Sequence, residues 1–327
     1  MLKRQGGLDK ILQNRYTSTM TTLSQSKVKT WLRCPKKFEY RYLENLQPKT
    51  KPLPMERGIW IHSCLEAFYK GKDWTKVLNK LAKQFRLLFD EEREHLGDLP
   101  REVERIVKSY IAHWDDDDWE ILAVENEFTV KLKSGLVLKG RMDMVVRDNL
   151  GVWVVENKTN QKLPREGPRI PDPQTTLYNY ALKSMGLTGM GTIHNHIRTL
   201  PPKDPRVLKR GGLSVRCDTD YYTYRRAIKR EGLDPNDYRV VLHKLKHEDK
   251  YFRRFRVPWR KTAVKPMLED YKEVARTIDG ATGYPRNLGF MCEKDCFYFQ
   301  VCIMELYGGD ATQLKKAKFN IDERAYG

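Results

Sequence analysis

Apolar positions along the chain follow two periods, and the change between them divides the sequence. Up to about Trp114 they recur every three or four residues. Val28, Trp31, Leu32 and Phe38 predict a helical stretch within residues 23–46, capped by Ser24 and Ser26 and broken or kinked at Cys34-Pro35. A loop over Lys51–Pro54 leads to a helix over Met55–Tyr69, and Trp74 to Glu94 reads as one long amphipathic helix. The next helix, Arg101–Trp114, places Val103, Ile106, Val107, Tyr110, Ile111 and Trp114 on one face, and Asp115–Asp118 end it as a solvated loop. From Glu120 the period drops to two. Glu120–Leu132 reads as a strand, and Leu136–Lys158 (LVLKGRMDMVVRDNLGVWVVENK) as two more joined at Asp148-Asn149-Leu150-Gly151. A proline-rich loop (Pro164–Pro173), a helix (Gln174–Met185), a strand (Gly191–Thr199) and a last helix (Lys265–Asp279) follow, with no internal repeat.

The 136–158 ribbon carries the candidate chemistry. Asp143 lies on its first strand, and Glu156 and Lys158 end the second on a shared face, since side chains two apart on a strand point the same way. A hairpin can bring Asp143 beside them, and two carboxylates with a lysine at a sheet end can hold a divalent metal and orient a water. Glu125 and Glu127 on the preceding strand are either a supporting acid or paired surface charge. Gly140 suits a close backbone approach beside the metal. His194 and His196 share a strand face and read as a polar surface.

Composition narrows the partners. The chain has 327 residues, enough for one elaborated domain or two lobes, and 40% hydrophobic content with 7 Trp, 17 Tyr and 11 Phe supplies a packed core. No apolar run reaches the about 18 residues of a membrane span. The first 20 residues are polar and basic and read as a disordered leader, with Met20 a possible alternative start and Asp9 interrupting any transit-peptide pattern. A net charge of +18 favours a polyanionic partner, nucleic acid first. Residues 201–265 hold 19 Lys/Arg against 8 Asp/Glu, with Tyr221, Tyr222, Tyr224, Tyr251, Phe252, Phe255 and Trp259 interleaved. Such a segment is either a solvated basic face or one where bases stack while arginines neutralise phosphates.

Six cysteines without a secretion signal argue against a disulfide framework and for the cytoplasm. Three of them form Cys292-x3-Cys296-x5-Cys302, a density that points to metal. Three thiols leave a tetrahedral set incomplete, and Cys34, followed by Pro35 in a basic-aromatic stretch, is the best fourth. Zinc and an iron–sulfur cluster both accept this set, and spacing does not separate them. Cys64 and Cys217 read as buried.

These pieces together resemble the RecB-type exonucleases of the PD-(D/E)XK superfamily, particularly the iron–sulfur branch that includes CRISPR-associated adaptation exonucleases, the AddB nuclease domain and stand-alone phage exonucleases. LSQSKVKTWLRCPKKFEYRYL is similar to the family's opening with its first cluster cysteine, and GIWIHSCLEAFY to its histidine motif. GRMD, ENK and QTTLY match GxxD, (D/E)xK and QxxxY in the same order, and MCEKDCFYFQVC the cysteine triplet. Two departures stand out. The triplet's first gap holds three residues where two are expected, and Glu156 replaces the commoner Asp.

The resemblance implies an α/β, restriction-endonuclease-like core: a mixed sheet flanked by helices, with a helical N-terminal portion and a C-terminal cysteine cluster. The segments are then a leader (1–20), a helical portion (21–118), the nuclease core (119–200), a basic DNA-contact segment (201–265) and the cluster-bearing tail (266–327). It implies Mg²⁺ or Mn²⁺ on Asp143, Glu156, the Asn157 carbonyl and His62, with Lys158 acting on the attacking water. Gln174 and Tyr178, four apart on one helix face, contact the substrate backbone or brace the lysine. Cys34, Cys292, Cys296 and Cys302 hold a [4Fe-4S] cluster, zinc being the alternative. The implied activity is hydrolysis of DNA phosphodiesters, exonucleolytic at single-stranded or free ends, in phage or prokaryotic recombination or repair. No Walker-type loop occurs, so any helicase is a separate protein. The rival readings are a non-catalytic, cluster-bearing DNA-binding subunit and an RNA nuclease.

Overall fold

A computed structural model of the chain describes residues 22–168 and 172–321. The leader expected over residues 1–20 lies outside them. The strands are β1 (Thr22–Leu23), β2 (Leu46–Pro48), β3 (Glu120–Lys131), β4 (Val137–Asp148), β5 (Gly151–Asn160), β6 (Gly189–Arg198), β7 (Phe252–Pro258) and β8 (Phe319–Ile321). The helices up to the sheet are α1 (Gln25–Arg33), α2 (Pro35–Phe38), α3 (Leu53–Tyr69), α4 (Trp74–Arg86), α5 (Asp90–Leu96) and α6 (Leu99–His113). After β5 come α7 (Pro173–Ser184), α8 (Tyr221–Arg230), α9 (Arg239–Lys246), α10 (Val264–Asp279), α11 (Met291–Asp295), α12 (Phe299–Leu306) and α13 (Thr312–Lys318). The result is a mixed sheet flanked by helices, as expected.

The chain divides into two compact units. Among the described residues one comprises 22–47, 127–140 and 262–321, the other 48–126, 141–168 and 172–261, so β3 and β4 change unit part-way along.

In the second unit β4 and β5 form the expected hairpin. Their antiparallel ladder runs from Asp148–Gly151 to Met144–Val155. Asp148 Oδ1 fixes the two-residue turn by accepting from the N–H groups of Leu150 (2.9 Å) and Gly151 (3.1 Å) and from Trp153 Nε1 (3.1 Å). Gly151 holds φ +132°, a conformation that side-chain-bearing residues rarely adopt. β6 then pairs with β5 in parallel, from Trp153–Gly191 to Asn160–Arg198, and β7 runs antiparallel to β6. Both faces of this sheet are covered: Val145, Val154, Thr192 and His194 are buried on one, while Ile193 and Ile197 on the other join two apolar clusters. Met144, Val146, Trp153, Val155 and Ile193 form one buried cluster. The apolar stripes of α3, α4 and α6 (Ile61, Leu65, Leu78, Val103, Ile106 and Val107 among them) form another with Ile197, Tyr251 and Phe252.

Several expectations need correction. The long helix over Trp74–Glu94 is two helices. Its apolar stripe ends at Phe85, Leu87 and Phe89 are left exposed, and Glu92 Oε2 accepts from Phe89 N–H (3.2 Å) to start α5. Three acids in the first turn of α5, Asp90, Glu91 and Glu92, favour that fresh start through the helix dipole. α3 begins at Leu53, inside the expected loop, because Pro54 is tolerated in a first helical turn. Asp117 is not simply solvated but forms a two-pronged ion pair with Arg254. Within residues 201–265, Tyr224, Tyr238, Tyr251 and Phe252 are buried, so these rings serve packing and cannot stack on bases. Arg206, Lys209, Arg210, Arg216, Arg225 and Lys229 are exposed.

In the first unit, β1 pairs in parallel with the start of β4 through Thr22–Val137 and Leu23–Leu138. α1 starts at Ser24, whose hydroxyl accepts from Lys27 N–H, and stops at Cys34, where the backbone turns extended ahead of Pro35. Tyr40, Leu46, Tyr298, Val301, Ala311 and Phe319 form the core of the tail. Gly140 belongs here, and the close approach it allows is that of the Phe128 ring, from which a Cβ would lie 2.5 Å. Among the described residues no helix is long and apolar enough to cross a membrane.

Candidate active site

The ribbon from Arg141 onward, α3 and α7, all within the second unit, bring seven of the candidate residues together. Just past the last ladder pair, Asn157 N–H donates to Asp143 Oδ2 at 2.8 Å. Glu156 Oε1 accepts from Lys158 Nζ (2.8 Å) and from Gln174 Nε2 (3.0 Å). Lys158 Nζ also reaches Gln174 Oε1 at 3.5 Å. Gln174 is held in turn by Tyr178, whose hydroxyl accepts from its Nε2 (2.7 Å) and donates to the Arg141 carbonyl (2.8 Å). The four-residue spacing thus builds a brace on the Glu156–Lys158 pair. The brace begins at a fixed point, because Asp172 Oδ1 caps α7 by accepting from Gln174 N–H.

α3 supplies His62, whose Nδ1 lies 3.7 Å from Asp143 Oδ2. Gly58, one turn earlier, permits this approach: a Cβ there would sit 2.8 Å from Thr159 Oγ1. Glu125, on β3, pairs with Arg141 Nε at 2.9 Å in a left-handed backbone conformation (φ +53°), and Glu127 is exposed. Of the two, Glu125 is the one whose charge acts on Asp143 and His62.

Burial governs the electrostatics. It pushes the Asp143 carboxyl up to about 6, against the pull of the Asn157 N–H, with the Glu125 charge adding to the rise. Glu156 is raised by burial and then by the Asp143 charge. His62 is lowered by burial, which keeps its imidazole neutral. Glu156 Oε2 is buried without a hydrogen-bond partner. A buried and a half-buried acid crowd each other here, and the second oxygen of the buried one has nothing to bind.

The histidines of β6 are not a surface. His194 is buried, its Nε2 3.5 Å from Thr175 Oγ1, while His196 Nδ1 is 2.7 Å from Asn160 Oδ1. Asn195, between them in sequence and on the opposite face, bonds directly to Asn157 and escaped the sequence reading. Its signal was a lone amide between Ile193 and Ile197 on an otherwise apolar strand face.

The four candidate cluster cysteines lie in the first unit. Cys34, Cys292, Cys296 and Cys302 line one pocket, together with Lys36, Lys37, Tyr40 and Arg286. Burial raises the Cys296 thiol, and Cys292 and Cys34 raise it further. Cys64 is fully buried as expected. Cys217 is not; it is partly exposed, its thiol near the Lys203 (3.5 Å) and Asp204 (3.6 Å) carbonyls. Among the described residues, no group of three or more His, Cys, Asp or Glu side chains is already arranged to hold a metal ion.

A mixed sheet flanked by helices, with an acid, a Glu-x-Lys pair and a Gln-x3-Tyr brace meeting at one end of a hairpin, defines a nuclease-like α/β domain. The model of the PD-(D/E)XK nuclease superfamily matches residues 22–302, and the chain belongs to that superfamily, whose members are metal-dependent nucleases. Among solved structures, one described as "Crystal structure of SSO0001" is similar over 90% of this chain and 93% of that one, at 12% identity and a TM-score of 0.30. No curated protein matches.

Proposed function

We propose that this protein is a Mg²⁺- or Mn²⁺-dependent deoxyribonuclease of the iron–sulfur branch, acting exonucleolytically on single-stranded or free DNA ends. Its setting would be phage or prokaryotic recombination, repair or DNA processing. The observation that carries the reading is the buried, unpartnered Glu156 Oε2 beside an Asp143 carboxyl pushed up to about 6. Such a pair is unfavourable by itself and becomes favourable around a hard cation, which prefers carboxylate oxygen.

The residues present therefore fit a divalent ion. Asp143, Glu156 and the Asn157 carbonyl would hold it, with neutral His62 as a nitrogen donor that favours Mn²⁺. Bound there, the ion would polarise a phosphate oxygen and make water more acidic. The chain's own groups do the rest. Lys158 keeps its ammonium 2.8 Å from Glu156 Oε1 and partly exposed, so it can face the scissile phosphate and offset the charge that builds on it. Gln174 holds both Glu156 and Lys158, and Tyr178 fixes Gln174 against the backbone of β4. The exposed cations of residues 201–265 supply phosphate contacts along the DNA.

The cysteine pocket fits a cluster by its donor set. Four thiols share it, those around Cys296 raise its pKa, and Lys36, Lys37 and Arg286 stand ready to offset thiolate charge. Anaerobic purification with an absorbance spectrum and iron assay tests this; a colourless zinc protein removes the cluster and leaves the nuclease.

End-labelled single-stranded DNA, paired with RNA of the same sequence, tests the activity. The wild type should shorten the DNA with Mn²⁺ and not with EDTA, while Lys158→Ala binds DNA without cutting it. Equal cleavage by that variant discards the site, and preference for RNA discards the substrate.

A further inference from the structure

Behind the acidic pair, within the second unit, runs a row of hydrogen bonds that none of these roles uses. Asn157 on β5, Asn195 on β6 and Arg254 on β7 are register partners across three adjacent strands. Asn157 N–H donates to Asp143 Oδ2 (2.8 Å), and its side-chain Oδ1 accepts from Asn195 Nδ2 (2.7 Å). Asn195 Oδ1 accepts from Arg254 Nε at 3.3 Å, and its Nδ2 also donates to Tyr110 Oη at 2.7 Å. The row ends in a clamp. Arg254 binds both oxygens of Asp117, at 2.7 and 2.8 Å, and its guanidinium lies 3.6 and 3.9 Å from the ring centroids of Trp114 and Trp119.

This is a costly arrangement to place in a core. Asn195 is fully buried between Ile193 and Ile197, and Arg254 is nearly so. Apolar residues of similar size would pack there without desolvating a charge. What the polar row provides is orientation. The Asn157 side chain cannot turn while Asn195 holds it, and Asn195 cannot turn while its two ends are held by Arg254 and Tyr110. The Asn157 backbone, pinned on the side away from the acids, then holds its N–H against Asp143.

We propose that Asn195 and Arg254 are positioning residues: acting through Asn157, they set the Asp143 carboxylate for a divalent cation. The inference rests on the reading of Asp143 as a metal ligand, and it extends the site two strands beyond the acids, to an arginine held between two tryptophans.

The test compares full-length wild type with Asn195→Leu and Arg254→Lys. Mn²⁺ affinity is measured by calorimetry, with Asp143→Asn as the control that assigns the binding to this site. Second-layer partners of metal ligands typically contribute about 10–100-fold in affinity or activity. Asn195→Leu should weaken Mn²⁺ by about that factor, and Arg254→Lys, which keeps the charge but loses the fork, by the lower end of it. In both, kcat on single-stranded DNA should fall while KM stays put, because the DNA-contacting groups are untouched. Mn²⁺ affinity equal to wild type in folded variants overturns the proposal; should Asn195→Leu not fold, Arg254→Lys decides alone. Wild type that binds Mn²⁺ through Asp143 without cutting DNA discards the nuclease reading only, and the affinity shift still judges this one. Wild type with no Asp143-dependent binding overturns both.

Discussion

Gly58→Ala tests whether the close packing of α3 on β5 sets the site. The added Cβ would meet Thr159 Oγ1 at 2.8 Å and Thr159 Cβ at 3.7 Å, the first well inside van der Waals contact. Thr159 is β-branched and stiff, so relief by rotation is limited and α3 must shift outward by a few tenths of an ångström. Overpacking of this kind costs about 1–3 kcal/mol, while replacing a mid-helix glycine by alanine returns about 1 kcal/mol. The single variant should therefore lose about 1 kcal/mol by urea unfolding. In a Thr159→Ala background the offending atom is gone, only the helix-propensity gain remains, and the same change should stabilise by about 1 kcal/mol. Function gives a second readout. His62 follows Gly58 by one turn, so Gly58→Ala should lower Mn²⁺-dependent cleavage and the double variant should recover part of it. Equal effects of Gly58→Ala in both backgrounds would refute the packing argument.

Further predictions concern the charges. Glu156→Gln removes a buried carboxylate crowded by Asp143, so the metal-free protein should gain on the order of 1 kcal/mol, or about 1–2 °C in Tm, while cleavage is abolished; a lower Tm would show that the carboxylate is well solvated. His196, held at about 4 against an ordinary 6.5 by burial and then by His194 and Lys158, stays neutral in the fold. The unfolded chain takes up a proton below 6.5 that the folded one refuses until about 4, so stability is lost as pH falls through that window. His196→Gln should remove about 2 kcal/mol of that loss after solvent screening is allowed for, and unfolding curves of both proteins at pH 7 and pH 4.5 give the difference. Identical pH slopes would place the imidazole in contact with water.

Much of the fold was legible because it depends on local chemistry. The turn at Asp148–Gly151 has the acid and the glycine its hydrogen bonds need, and the Glu-x-Lys spacing fixes a shared face wherever the strand goes. Gln174 and Tyr178 were legible as a helical pair, while their bracing of the lysine came only from the family resemblance, because their target lies on other elements. The break between α4 and α5 was hidden by Leu87, Leu88 and Phe89, which extend the apolar pattern in sequence while Leu87 and Phe89 stay exposed in the fold. Arginine and aromatic residues of β7 read as a nucleic-acid surface, but Arg254 faces inward, since strand alternation alone does not say which side is covered. Asn195 was hidden for the opposite reason. Its hydrogen-bonding row runs across strands, perpendicular to the chain, where no spacing along the sequence records it.

A crystal soaked in Mn²⁺ and measured at the manganese absorption edge addresses the central claim most directly. The account predicts an anomalous peak bounded by Asp143, the free oxygen of Glu156 and the Asn157 carbonyl, with His62 beside it. A map with manganese elsewhere and none between those two acids would contradict it.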